Sequence, residues 1–567
     1  MMQAFIAPLA ELAEYQEILQ KRRKEKGILQ IAGCVNSQKT HLMYALGDGF
    51  SYKIIVFSSE EKAQKAYEEY RFLDSGVLYY PARDLLFYHA DIKGNYLMKQ
   101  RMEVIRSMVT RQKNQEITVI TTMDAFLDGL SPAEEIVSKR IQISSGDTVD
   151  FTKLQERLSG LGYVREVQIE GPGQFAVRGG ILDIFPLTEE IPVRVELWGD
   201  EVDSIRTFDV ESQRSIENLK EIEIYPAAEL QSQKKQSFLE YFPTEESILF
   251  LDEPQRLIEK ANEIEEEFQE SVRKREEAGL EETQELTVYP VLEILNRINQ
   301  FYGVAFTALE GKCRGLKIRE TDYIQTKGVN PYNNSFEMLT RDLKRLKRNQ
   351  YRVILLSGSR TRAKRLAEDL RDYDLSSFYS EDMEREVQPG EIMVAYGHVT
   401  QGYEYPMLKF MVISETDIFG RQKKKKRRKL YEGQKIQSFS ELKVGDYVVH
   451  ENHGLGIYQG IEKIEVDKIT KDYMKISYAG GSSLYILATQ LDLIQKYAGA
   501  DAKKPKLNKL GSNQWTKTKN QVRGAVRQIA RDLVELYAAR QQENGYQYEP
   551  DTVWQKEFEE MLSLIHI

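Results

Sequence analysis

The sequence predicts an α/β protein of several domains, and three observations carry that expectation. The chain has 567 residues, several times the ~150 of a single domain. Its first part alternates apolar, strand-like runs with helix-length polar stretches, which implies parallel βαβ units. Near residue 130 the texture changes to short, closely spaced β segments. These are punctuated by Gly171-Pro172-Gly173, Gly179-Gly180 and Gly199-Asp200, as in a compact antiparallel sheet.

Composition bounds the function. Hydrophobic residues make up 41% and charged residues 29%, with mean hydropathy −0.51, enough apolar material for several cores in water. No apolar run approaches the ~18 residues of a membrane span. The opening MMQAFIAPLAELAEYQE reaches acidic residues too early for a secretory signal, so a cytoplasmic chain without membrane attachment is expected. Two cysteines, Cys34 and Cys313, exclude a disulfide framework and a cysteine-rich zinc site. A net charge of −9 confines any nucleic-acid contact to a local patch.

Taken in order, residues 1–128 read as the first part of an α/β domain. Gly27–Cys34, Tyr52–Ser58 and Ile117–Thr122 are its strands, and Ser59–Phe72 and Tyr96–Thr110 its helices. Residues 129–215 read as an inserted α+β module whose one helix is Phe151–Leu161. The first domain resumes over 216–330, with strand Ser247–Leu251 and the charged helical stretch Glu253–Gly279. A smaller α/β domain follows over 331–420: strand Tyr351–Ser357, amphipathic helix Ser359–Asp372, strands Glu391–Tyr396 and Phe410–Ser414. The run KKKKRRK at 423–429 marks a linker over 421–438, read as solvated in preference to a DNA-phosphate contact. Residues 439–500 are again β-rich, and 501–567 hold one long helix, Asn513–Asn544.

One segment bears on catalysis. Gly33-Cys34-Val35-Asn36-Ser37-Gln38-Lys39-Thr40 lies between strand and helix, where the phosphate loop G-x-x-x-x-G-K-[ST] would lie. Gly33, Lys39 and Thr40 match, but Gln38 replaces the glycine that lets backbone approach phosphate closely. Asp252-Glu253, at the end of an apolar strand, resembles a magnesium-binding carboxylate pair, yet Pro254 follows at once. The reading is a degenerate loop that does not hydrolyse ATP. As an inert relic it should tolerate Lys39→Ala without loss of stability.

A family resemblance appears at Gly173–Asp209. The phrases R-G-G-I-L-D-I-F-P and R-V-E-L-W-G-D-E-V-D-S-I-R resemble the module shared by UvrB and the transcription-repair coupling factors (Mfd). The first ~320 residues are similar to a UvrB-like, degenerate helicase-type α/β domain carrying that insert. From Leu442 to Ile461, LKVGDYVVHENHGLGIYQGI resembles the CarD-related, RNA-polymerase-interacting domain of the coupling factors, which UvrB lacks. That resemblance implies a small SH3/Tudor-like β-barrel. The family's long helix runs into F-x-Y-E-x-T-x-D-Q and a translocase motor; here Glu559-Glu560-Met561 is followed by LSLIHI. The motor is therefore expected to be missing from this chain.

The resemblance implies an adaptor that binds stalled RNA polymerase through its β subunit and recruits UvrA, within a family whose complete members are ATP-dependent double-stranded DNA translocases. It implies no cofactor for this chain, ATP and magnesium for the complete family protein, DNA contact mainly through the motor, and a monomer. The alternatives are a UvrB-like, ATP-dependent damage-binding helicase subunit and a CarD-like regulator on an inert scaffold. For UvrA docking the candidates are Arg165, Phe175 and Arg178, although on an ideal strand Phe175 faces away from Arg178 and could be core. For polymerase they are Tyr458, Ile461 and Ile464, on an expected edge strand Tyr458–Val466. His450 and His453 lack a third ligand nearby in sequence and read as structural rather than metal-binding. Trp198 reads as a partly buried sheet residue. Between Tyr80-Pro81 and the Tyr96 helix there is no room for a long tyrosine-rich hairpin, which leaves Tyr79, Tyr80, Tyr88 and Tyr96 as core or surface stacking residues.

Overall fold

The structure, a computed structural model, describes residues 2–83, 95–277, 288–420, 434–435, 442–450, 453–466, 469–487, 494–497 and 505–510, isolated positions within these spans excepted, and a few helical residues between 514 and 528. Residues 421–433, with the KKKKRRK run, Tyr88, and most of the expected Asn513–Asn544 helix lie outside the described residues. Two compact units emerge. One comprises 1–432 with 463–473 and 487–493; the other comprises 433–462, 474–486 and 494–567. No helix among the described residues is long and apolar enough to cross a membrane.

The first unit is built on a seven-stranded sheet. Its order is Ile318–Tyr323, Gly27–Ala32, Tyr302–Thr307, Ser247–Asp252, Tyr52–Phe57, Ile117–Thr122, Leu78–Tyr80. Every neighbouring pair is parallel. Runs such as GILQIA, YKIIVF and SILFLD are buried along their whole length, as a parallel sheet covered on both faces requires. Alternate side chains divide between two cores. Leu29, Ile55 and Phe250 pack with helices Asn36–Leu46 and Glu60–Leu73; Ile28, Ile54 and Leu249 pack with Asn95–Val109 and Val291–Ile298.

The insert leaves and returns through a short antiparallel neck, Gly129–Leu130 against Gln236–Ser237. Its sheet runs Ser215–Leu219, Glu201–Phe208, Val193–Trp198, Ile181–Phe185, Gln174–Arg178, Val164–Arg165. Helix Phe151–Gly160 covers one face through Leu154 and Leu158. The module does not end at 215. Strand Glu221–Ile224 closes it by pairing with Ile141–Ser144, so its last β ribbon joins segments far apart in sequence.

The second α/β domain has sheet order Lys327–Gly328, Tyr403–Tyr405, Phe410–Ile413, Arg352–Ser357, Ile392–Tyr396, Phe378–Tyr379. Helices Phe336–Arg348 and Arg360–Asp372 cover one face. Its other face, through Leu356, Ala395, Tyr403 and Phe410, is continuous with the core around Phe5, Leu42 and Tyr70. His41 sits in this seam, with Nδ1 3.0 Å from the Tyr405 hydroxyl and Nε2 3.1 Å from the Phe5 carbonyl. Burial pulls its pKa down to about 4, so the ring is neutral at physiological pH.

A further sheet, most of whose residues belong to the second unit, has the order Gln434–Lys435, Ile494–Lys496, Tyr447–His450, Gly454–Val466, Ile469–Ser477, Ser483–Leu487. Val448, Leu455, Met474, Ile476 and Ile494 supply its interior. In that order the strand that carries Tyr458–Val466 is interior, and its described pairing with Tyr447–His450 covers Gly454–Ile457. Tyr447–His450 flanks the first part of the Gly454–Val466 strand and Ile469–Ser477 lies on its other side.

Candidate functional site

The strand-to-helix loop at Gly33–Thr40 is closed by its own side chains. Gly33 turns the chain with φ +83°. Gln38 is fully buried, and its Oε1 accepts the Val35 backbone N–H at 3.2 Å, so the residue replacing the second glycine caps the helix from inside the loop. Lys39 Nζ lies 2.7 Å from Asp252 and 2.6 Å from Glu253. Burial by itself would lower the lysine's pKa, but the two carboxylates outweigh it and raise it. The Thr40 hydroxyl, which in a working loop would hold magnesium, donates to Glu69 at 3.1 Å. Glu69 also accepts from Ser37 Oγ at 2.8 Å and from the Thr400 backbone N–H at 2.7 Å, tying the loop to the second α/β domain. Lys39 therefore faces two carboxylates, with Lys62 3.9 Å from one of them, while Glu69 takes the loop's Ser37 and Thr40 hydroxyls. An incoming phosphate would meet net negative charge. The arrangement places Lys39 between two carboxylates, from which a stability cost of Lys39→Ala is expected.

The candidate docking residues of the insert divide between faces. Phe175 is fully buried in the module's core and offers no aromatic surface; strand parity turns it inward with Leu182 and Ile184. Arg165 is exposed and stands opposite Phe175 in a parallel pair, so it shares that residue's face at the sheet edge. Arg178, three residues after Phe175 on a regular strand, projects from the opposite face. There the buried Asp183 carboxylate takes Arg194 as a fork (Nε 2.6 Å, Nη2 3.0 Å) and also pairs with Arg178. Sequence reasoning missed this network, though a lone Asp in the apolar run ILDIF was a signal. It also missed Glu69, a carboxylate on the same helix face as buried Ala66 and Tyr70. Trp198, expected to be partly buried, is 85% exposed.

On the Gly454–Val466 strand, Tyr458 is buried, which corrects its reading as a contact residue, and Ile461 is 37% exposed. The side chain of Ile464 lies outside the described residues. Among the described residues, pairing with the preceding segment reaches Tyr458, whose carbonyl accepts from the Gly445 N–H at 2.8 Å and whose N–H donates to the Asp446 carbonyl at 2.9 Å. His450 is buried and accepts the His453 backbone N–H through Nδ1 at 3.3 Å. Tyr80 is buried and stacks on Phe238 with ring centroids 3.7 Å apart.

Two family models match these modules: the UvrB interaction domain over residues 141–230 and the CarD-like/TRCF RID domain over 442–498. The transcription-repair-coupling factor of Bacillus subtilis (strain 168) is 31% identical over 93% of this chain and 50% of its own length. Over 93% of its length the chain is thus similar to a transcription-repair-coupling factor. Coupling factors of Staphylococcus aureus (strain Mu50) and Staphylococcus haemolyticus are 30% and 28% identical, each over 86% of this chain and 46% of their own. The chain thus spans about half the length of the coupling factors it matches. The matched spans coincide with the insert, including its closing strand Glu221–Ile224, and with the second unit's sheet.

Proposed function

We propose that this chain is the adaptor part of a transcription-repair coupling factor, holding RNA polymerase through residues 442–498 and UvrA through residues 141–230. The observation that carries the reading is the presence in one chain of both matched modules. Arg165 and Arg178 supply exposed guanidinium groups for UvrA. Ile461 and Ile464 supply apolar contacts for the polymerase β subunit. The sheet over 439–500 closes as an SH3/Tudor-like barrel, and a long helix follows it. The loop at Gly33–Thr40 binds no nucleotide and needs no cofactor; ATP-driven movement on double-stranded DNA belongs to the part of the coupling factors that this chain does not match. The chain works as a cytoplasmic monomer. The engagement of Lys39 and Thr40 by carboxylates weighs against the UvrB-like helicase reading, in which they would have to meet ATP and magnesium.

The test is a bridging experiment. Immobilised RNA polymerase should retain UvrA only when the chain is added. Arg178→Ala should release UvrA while leaving the chain on polymerase, and Ile461→Arg should release both together. Retention of UvrA by polymerase at the same level with and without the chain would remove the adaptor reading.

A further inference from the structure

The strands of the second α/β domain end beside an open cleft of about 660 Å³. Ser357 and Tyr396 are register partners at the carboxyl ends of the parallel strands Arg352–Ser357 and Ile392–Tyr396, and Gly358 and Tyr396 line the cleft. The sheet order reverses here. From Arg352–Ser357 the chain passes to Phe378–Tyr379 and Ile392–Tyr396 on one side, then to Tyr403–Tyr405 and Phe410–Ile413 on the other. In open α/β sheets, ligands bind outside the carboxyl ends of the strands at such a reversal. The opposite wall is the helix Glu60–Leu73, through Glu68, Arg71 and Phe72. Phe72 fixes the spacing of the walls, since a Cβ on Gly397 would stand 2.6 Å from its ring.

The cations at this cleft rest on rings rather than on acids. The Arg360 guanidinium lies over Tyr396, 4.9 Å from the ring centre, and the Arg71 guanidinium lies 5.7 Å from that of Tyr67. One turn along the helix from Arg360, on the same face, Lys364 Nζ stands 5.2 Å from the Tyr379 ring centre. Among the described residues, none of these three cations pairs with a carboxylate. An arginine stacked on a ring keeps its in-plane N–H groups for an acceptor, so its charge is oriented but not neutralised. The helix end itself is already filled: Glu415 accepts the Gly358 N–H at 2.6 Å and the Ser357 hydroxyl at 3.2 Å. Two further carboxylates line the cleft. Glu381 accepts the Tyr379 hydroxyl at 2.7 Å, and Glu68 is exposed, three residues from Arg71 on one helix. Tyr396 keeps 42% of its surface in water.

A bare anion would be served by the cations alone and opposed by the carboxylates. Guanidinium groups, an exposed ring and a carboxylate acceptor together suit a ligand with phosphate, a flat π-face and amino donors, which is a nucleotide. Lys364 carries the row of cations one turn past Arg360, which suits a ligand longer than one nucleotide. We propose that this cleft binds single-stranded nucleic acid: one base stacks on the Arg360–Tyr396 pair, Glu68 accepts from its amino edge, and Arg71 and Lys364 hold flanking phosphates. A duplex is a poor fit, because pairing and stacking cover the faces and edges of its bases. With a net charge of −9 the chain can meet nucleic acid only at a local patch, and this cleft is one. The role excluded by this proposal is a passive one, in which the cleft is a gap between packed elements and the tyrosines only support surface cations.

The experiment uses the 567-residue chain and a fluorescent single-stranded oligo-dA, with anisotropy read across a potassium chloride series and a thermal melt for each variant. Tyr396→Ala should weaken binding about fivefold or more, the loss of one stacked base, with an unchanged melt. Arg71→Gln and Lys364→Gln should each lower the slope of log affinity against log salt by about 0.7, one phosphate contact on a single strand. Leu292→Ala, which removes an exposed side chain away from the cleft, should change neither affinity nor slope. The duplex of the same sequence should bind more weakly, and millimolar AMP should not displace the strand. Absence of oligonucleotide binding at low salt would overturn the proposal. So would affinity within about twofold in Tyr396→Ala with unaltered slopes in the other two variants, because the strand would then be held elsewhere, by the basic run 423–429 for example. Duplex binding as tight as single-strand binding would overturn the stacked base, and displacement by AMP would overturn the assignment to a strand.

Discussion

Lys39→Ala separates a keystone from a nucleotide site. The lysine's side chain is 13% exposed and bridges Asp252, 8% exposed, and Glu253, 23% exposed. Removing one partner of a buried ion pair costs about 3–5 kcal/mol, because the remaining charge has no compensation. Two features pull the value to the low end: Glu253 is partly solvated, and Lys62 stands 3.9 Å from Asp252 and takes up part of its charge. A loss of about 2–3 kcal/mol is expected, and at about 2–4 °C per kcal/mol the melting temperature should fall by several degrees. The sign with pH is fixed by the raised lysine pKa. The contribution is fully present below the unfolded value and is lost only as pH rises through the folded one, so the whole neutral range shows the deficit. The assay is urea denaturation of both proteins at pH 7.5, with and without millimolar Mg-ATP. A ligand that bound the native loop would raise stability by mass action; none should. An unchanged denaturation midpoint in Lys39→Ala, together with an ATP-dependent midpoint in the unaltered chain, would refute the keystone argument and restore the nucleotide reading.

Other outcomes follow from the seam between the two α/β domains. His41, held neutral with a pKa of about 4, must gain a proton on unfolding below the ordinary histidine range; stability should therefore fall as pH drops from about 6.5 towards 4, and denaturation at pH 7.5 and 5.0 should show a shallower acid loss in His41→Gln. Gly397→Ala should destabilise by about 1–3 kcal/mol, since the new Cβ would stand 2.6 Å from the Phe72 ring and 3.0 Å from Leu356; a thermal melt reads it directly.

What the residues disclosed follows from how far each interaction reaches. Mostly apolar runs such as YKIIVF, in which Lys53 is the one charged residue, announce a strand covered on both sides, because burial of nearly every position leaves no polar face. The phrases RGGILDIFP and LKVGDYVVH lie within single modules and could be read locally. The keystone could not. Lys39 meets its carboxylates at sequence separations of 213 and 214, and Glu69 meets the Thr400 N–H at 331. Phe175 shows the same limit on a smaller scale: alternation puts it opposite Arg178, but only the helix packed on one side decides which face is interior. Trp198 was misjudged because a hydrophobic side chain suggests burial, whereas its place at a hairpin end leaves nothing to cover it.

The polymerase contact offers a last prediction, and the sheet order changes its form. Augmentation by a partner strand needs an unpaired flank. Among the described residues, Gly454–Val466 is flanked by Tyr447–His450 at its start, and that pairing reaches Tyr458. Gly460, with φ +110° and Val444 3.6 Å from its would-be Cβ, lies two residues beyond Tyr458, in the part of the strand where no pairing with Tyr447–His450 is described. Ile461 follows at once and is 37% exposed, so an arginine there finds water and should shift stability by about 0.5 kcal/mol or less. If Ile461 meets polymerase, the same change should weaken binding by about 2 kcal/mol or more, since it removes an anchor and inserts a charge into the contact. Tyr458→Arg behaves oppositely: at 5% exposure it forces a charge into the sheet's interior, and the melt should collapse. Gly460→Ala keeps every anchor but forces a Cβ into a backbone conformation that side chains rarely adopt, so binding should drop through geometry alone, by about 1 kcal/mol or more. Polymerase affinity and melting temperature, measured for all three in the 567-residue chain, decide the matter. Normal affinity in both Ile461→Arg and Gly460→Ala would show that polymerase does not use this flank, and the contact would have to be sought on the sheet's true edges, Gln434–Lys435 and Ser483–Leu487.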